Sequence, residues 1–314
     1  MTTYSLRRQA LVPLAGLLGL IAVFAAPALT ATGQESDTKI LYLTAVDQNG
    51  KSVTDLKTED VLIRETDGDR EVVNVKRSTA PMAIVLLADT TKQAGATGMM
   101  SSSTSQTGAA ELIRDIRVAL GSFAKDVSAA NPETEMEIME FGQAAVPVTK
   151  MTSNLEDIQK GVTRLFPKPG AASVLLEAII EASKELSKTK SPRRVMVSLN
   201  IEPGDEQSRQ QLKQLGEELV KSRASLWSVS LQVGTNKNAV RGLALDELTK
   251  STGGRREFIQ SQAGLEVVMK TFADNLIQQY EIHYKRPPGV KPGRVLVGVK
   301  RDGLKLYASA IPPQ

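Results

Sequence analysis

The chain contains no cysteine and a single histidine among its 314 residues. The first absence excludes structural disulfides and a lipid-modified cysteine behind a leader, so stability must come from a packed core. The second excludes a histidine metal cluster, and a Ser-His-acid triad has only His283 to recruit. No Gly-x-Ser-x-Gly elbow and no Gly-x-x-x-x-Gly-Lys-Ser/Thr loop occurs. Aromatic residues make up 4%, leaving no stacking platform for single-stranded nucleic acid. The net charge of +4, or +2 without Arg7 and Arg8, is too small and dispersed for a nucleic-acid footprint. What remains is ordinary globular composition, 41% hydrophobic and 24% charged, long enough for one large or two modest domains.

Residues 1–33 read as a cleavable export signal. Arg7 and Arg8 precede an apolar run from Leu11 to Ala26, and small residues follow at Ala28, Thr30 and Ala31. The run is shorter than the ~20 residues of a spanning helix and is broken by Pro13, Gly16 and Gly19, which argues against a retained anchor. Export to a periplasm or to the outside is therefore expected, with no membrane span after cleavage. The paired arginines leave general and twin-arginine export both open.

The run Met82 to Ala88 is apolar without alternation, as in a strand covered on both faces of a parallel sheet. It stops at Asp89-Thr90-Thr91, which sets hard oxygen ligands at the strand's carboxyl end, where open α/β sheets bind ligands. Before it, Ile40–Val46, Val61–Glu65 and Glu71–Lys76 read as short strands, separated by Asn49-Gly50 and Asp67-Gly68 turns. Gln279–Lys285, Arg294–Lys300 and Leu304–Ala310 read as strands at the other end. Neither set alone makes a secure core, so the two are expected to pair.

Between them strands at Glu135–Phe141, Val195–Leu199 and Ser225–Val233 alternate with helices. The helices are read at Ala109–Val127, Leu155–Leu165, Val174–Leu186, Gln210–Ser222, Leu243–Thr252 and Gly264–Gln278. Gly95–Gly108 reads as a polar loop, Glu135 and Glu137 as a solvated strand start, and Arg193-Arg194 as an exposed strand entry. The fold class is thus α/β: a doubly wound, mostly parallel sheet inserted between two halves of a small antiparallel β module. The expected domains are 34–80 and 279–314 for that module and 81–278 for the insertion.

Several segments together carry a resemblance to the von Willebrand factor A family, and more narrowly to bacterial proteins that join a leader, a β segment and an A domain. They are Val46 to Gly50 with Leu56 and Asp60-Val61, Ile84 to Thr91, Phe141-Gly142, Gly170 to Ala178, Thr252 to Arg255, and Gln279-Tyr280. The resemblance implies a magnesium site at the strand ends, built from Asp-x-Ser-x-Ser, a distant threonine and a second aspartate. Asp89 matches the first aspartate and Thr91 the first hydroxyl, whereas Gln93 stands in place of the second serine. Ser173 falls in the threonine position, and Ile201 in place of the second aspartate, with Glu202 or Asp205 able to substitute if the turn is bulged. The metal candidates are thus Asp89, Thr91 and Ser173, and the cofactor expectation is none or weakly bound magnesium. In the other reading Asp89 caps a helix or binds loop amides.

The function these features support is a non-enzymatic protein-binding or scaffold protein with a degenerate metal-ion-dependent adhesion site. Asp89, Thr91, Gln93, Ser173 and Glu202 would face a protein or peptide partner. A cation-dependent adhesion module with an atypical magnesium site is the alternative, and a hydrolase a third reading.

Overall fold

The structure, a computed structural model, describes residues 38–313 except 67, 92–101, 169–171, 203–205, 210–211, 233–238 and 312. The leader, Gln93 and Asp205 lie outside these residues. In chain order the elements are β1 (Thr38–Val46), β2 (Val61–Glu65), β3 (Gly68–Arg70), β4 (Val72–Arg77), β5 (Met82–Asp89), α1 (Ser102–Ala130), β6 (Glu135–Phe141), β7 (Ala145–Pro147), α2 (Leu155–Thr163) and α3 (Leu175–Lys188). They continue with β8 (Arg193–Glu202), α4 (Leu212–Ser222), β9 (Ser225–Gln232), α5 (Ala239–Thr252), β10 (Arg256–Ile259), α6 (Leu265–Ile277), β11 (Tyr280–Lys285), β12 (Val295–Val299) and β13 (Lys305–Ala308).

Every residue of β5 is buried, because this strand lies inside a six-stranded sheet of order β10-β9-β8-β5-β6-β7. All neighbours in it are parallel except the edge pair β6 and β7. Strand alternation sends Ile84, Leu86 and Ala88 to one face, against Ile116, Leu120 and Phe123 of α1 and Met269 and Phe272 of α6. Ala83, Val85 and Leu87 point to the other, against Leu175 and Ile179 of α3, Leu219 of α4 and Leu245 of α5. Trp227 on β9 closes the first core with an edge-on contact to Phe272, ring centroids 5.2 Å apart. The chain leaves β5 toward β6 but leaves β8 toward β9, so the reversal of strand order opens a crevice at the carboxyl ends of β5 and β8.

The two chain ends interleave in antiparallel sheets of order β13-β1-β11-β4 and β12-β2-β3. Leu43, Ile63, Tyr280, Ile282 and Tyr284 share their core. The Tyr280 hydroxyl donates to Val53 O and accepts from Leu56 N, both at 3.0 Å, which pins the amino-terminal segment to a carboxyl-terminal strand. Gly253 ends α5 at φ +75°, and a Cβ there would run into the backbone of Ala308 and Ser309.

Several expectations are corrected. The helix read from Ala109 begins at Ser102, so Ser102–Gly108 is helical rather than loop: an amphipathic helix, once nucleated, extends into adjoining residues at little cost. Strand β8 runs on to Glu202, three residues past the expected end at Leu199, because Asn200, Ile201 and Glu202 pair with Ser230, Leu231 and Gln232 of β9. Helix α5 starts at Ala239, four residues earlier than its apolar spacing indicates. Asp69 lies in a short strand paired with Arg64 rather than in a turn. Glu137 and Arg193 are not solvated, with 3% and 4% of their surfaces exposed. Arg193 instead ties the two modules, donating to Ala80 O at 2.9 Å and to Gln279 Oε1 at 3.1 Å. Among the described residues no helix is long and apolar enough to cross a membrane.

Candidate functional site

Asp89 closes β5 at the crevice, and its side chain is fully buried. Oδ1 accepts from Thr91 N at 3.0 Å and from the Thr91 hydroxyl at 2.5 Å, a local turn that short acidic residues favour at strand ends. Oδ2 accepts from Ile201 N at 3.0 Å. The Asp89 carboxylate thus joins the ends of β5 and β8, and the loop-amide reading of this residue fits the geometry. Ile201 contributes through its backbone, which its aliphatic side chain had hidden.

Across the crevice comes Arg241 from the first turn of α5, none of its surface exposed. Its guanidinium lies 4.0 Å from Asp89 Oδ2 and 3.5 Å from Glu202 Oε1. Nε donates to Glu206 Oε2 at 3.0 Å and one terminal nitrogen to Ile201 O at 3.1 Å. The other donates to Ser173 Oγ. Glu206 also organises the start of α3. Its Oε1 accepts from Ser208 N at 3.3 Å, the Ser208 hydroxyl accepts from Glu177 N at 3.2 Å, and Gln207 N donates to Ser173 O at 2.8 Å. The bond from Glu177 N, with one from Leu176 N to Glu206 Oε1 at 3.5 Å, occupies orphan amides at the amino terminus of α3.

One buried guanidinium therefore sits among three carboxylates and a hydroxyl. Burial opposes its charge, but Asp89, Glu202 and Glu206 outweigh that and hold the Arg241 pKa above its ordinary value. Burial pushes the Asp89 carboxyl above the usual carboxylate range, while Arg241 and the bonds from Thr91 and Ile201 draw it partly back.

The structure brings together four of the five residues singled out in the sequence, Asp89, Thr91, Ser173 and Glu202; Gln93 falls outside the described residues. None of the four faces solvent, all being at least nine-tenths buried. In this structure they are covered side chains, linked to Arg241 and to Glu206 and Gln207 by the bonds described above. Arg241 and Glu206 were missed. A signal for Arg241 existed, because a cation in the first turn of a helix opposes the helix dipole and needs nearby anions.

His283 lies apart from this site. His283 Nε2 is 2.5 Å from Glu281 Oε1 on β11, within the β module. Glu140, opposite Ala88 on β6, adjoins the site instead: it pairs with Lys168 at 2.5 Å, and the Lys168 amide donates to Thr90 O at 2.7 Å.

No family model and no curated protein matches the sequence. Among solved structures the chain is similar to a von Willebrand factor type A protein from Catenulispora acidiphila, with 11% identity, TM-score 0.49, and coverage of 88% of this chain and 75% of that one. It is also similar to proximal thread matrix protein 1 of the mussel byssus, with 12% identity, TM-score 0.48 and coverage of 63% of this chain. This chain spans about half, 48%, of the byssus protein. A third similar structure is the von Willebrand factor domain of the type V pili tip protein Mfa5 from Porphyromonas gingivalis, with 7% identity, TM-score 0.46, and coverage of 63% and 96%.

Proposed function

We propose that this is an exported, non-enzymatic protein-binding or scaffold protein whose strand-end face engages a protein or peptide partner without a divalent cation. The observation that carries this reading is the Arg241 guanidinium lodged among Asp89, Ser173, Glu202 and Glu206. Magnesium needs several hard oxygens at about 2.0–2.1 Å in near-octahedral array. Here both Asp89 oxygens already accept hydrogen bonds, Ser173 Oγ accepts from Arg241, and a fixed positive charge stands 4.0 Å from the one aspartate. The described residues do not fit the ion. A tethered cation supplies the charge, and the crevice becomes a rigid support.

The contacts then fall to the rim around it. Phe166, Val240 and Leu243 are 59%, 57% and 69% exposed at the same end of the sheet, an apolar display suited to a protein surface. The non-enzymatic part of the reading rests on the distance in the fold between His283 and the strand ends, and export rests on the leader sequence.

A photo-crosslinking side chain at position 240, with another at position 62 of the β module as control, tests this in the native envelope. A discrete adduct from position 240 that survives chelation and is lost in Leu243→Asp is the expected result. An adduct that vanishes on chelation, or one arising at position 62 alone, would contradict it.

A further inference from the structure

At the opposite, amino-terminal end of the parallel sheet lies a cavity of about 150 Å³ between β1, the start of β8 and the turns after α4 and α5. Along β8 it is separated from the Asp89 crevice by about 26 Å, from the ~3.3 Å rise per strand residue. Three arginines line it, Arg193, Arg194 and Arg223, together with Ile40, Ile311 and Pro313, none of which is buried.

The three cations are not equally engaged. Arg193 is bound to Gln279 and backbone carbonyls. Arg194 donates its terminal nitrogens to Ser222 O at 3.0 Å and Thr189 O at 2.7 Å, and its Nε is buried, which leaves Arg223 as the cation open to the cavity. Among the described residues no carboxylate pairs with Arg194 or Arg223. Burial and the like charges of Arg194 and Arg286 depress the Arg223 pKa, the signature of a crowded and unanswered cation. Arg223 also takes φ +55° as the residue that ends α4, a left-handed position where glycine or asparagine is usual. Strain held at a ligand-facing residue is typical of binding sites.

We infer that this cavity binds a small organic carboxylate, its anionic group on Arg223 and its apolar body against Ile40, Ile311 and Pro313. A cavity of this size accommodates about one benzene ring, which sets the scale of the apolar body. A planar guanidinium suits a carboxylate, which it can engage through two parallel hydrogen bonds. The site is independent of the Asp89 crevice and of any partner there.

Benzoate titrated into the full chain at constant ionic strength tests the inference by thermal unfolding. The expected result is a saturable rise in Tm that neither inorganic phosphate nor benzyl alcohol reproduces at the same concentrations. Loss of one charge-assisted bond weakens binding about tenfold, so Arg223→Gln should shift the half-effect concentration by that factor. Arg223→Gly should do the same while folding well, because glycine suits the left-handed backbone. No saturable response in the wild type, an equal response to phosphate or benzyl alcohol, or unchanged benzoate binding in both variants would overturn it.

Discussion

Arg241 and Asp89 come from elements far apart in the sequence, yet both are fully buried and their charged atoms lie 4.0 Å apart at the carboxyl ends of β5 and β8. The pair holds the sheet's switch point together. Asp89 spans the two strand ends through Thr91 and Ile201 N, and Arg241 ties them to α3 through Ser173 Oγ.

Removing the guanidinium leaves three carboxylates facing one another in a buried site. Arg241→Met should therefore destabilise the fold by about 3–5 kcal/mol, the range for breaking one side of a buried ion pair. Urea denaturation measures this.

Asp89→Asn removes the charge but keeps only one acceptor oxygen, enough for Thr91 or for Ile201 N and not for both, so alone it is costly. In the Arg241→Met background its cost should shrink, or turn into a gain, because the unanswered negative charge is then reduced. A double-mutant cycle should return a coupling of at least about 1 kcal/mol.

Glu137 gives a pH signature. Burial, then the nearby Glu185 charge, raises its carboxyl to about 7 against an ordinary 4.5, with Lys188 opposing. A carboxyl raised in the folded state contributes stability fully below about pH 4.5, and that contribution fades as pH rises to about 7. The loss approaches about 3 kcal/mol, because each tenfold difference in proton affinity between the folded and unfolded chain is worth ~1.4 kcal/mol. Glu137→Gln should remove this slope and raise Tm above pH 7, as thermal unfolding across the pH series would read out.

Gly253 combines φ +75° with contact to the backbone of Ala308 and Ser309. Gly253→Ala should cost on the order of 2 kcal/mol or more from left-handed strain and overlap, measured by chemical denaturation.

Much of this architecture is legible from local pattern. The apolar run of β5, the Gly253 stop and the antiparallel ends follow from burial period and turn chemistry, which act over a few residues. The site is less legible because two of its parts leave no side-chain signal. Ile201 acts through its amide and carbonyl, and its strand is prolonged by pairing with β9 rather than by its own sequence. Arg241 sits in Ala-Val-Arg-Gly, where Gly242 weakens the helical pattern and a charged side chain reads as solvated. Its burial depends on carboxylates supplied by three other segments, a long-range condition that no window of sequence contains.

Whether a tethered guanidinium takes the place of a metal ion at the strand ends is tested most directly by titrating magnesium and manganese into the full wild-type chain while following Tm, with sodium chloride matching ionic strength. The expected result is no shift at millimolar metal. A saturable rise that disappears in Asp89→Ala would contradict it.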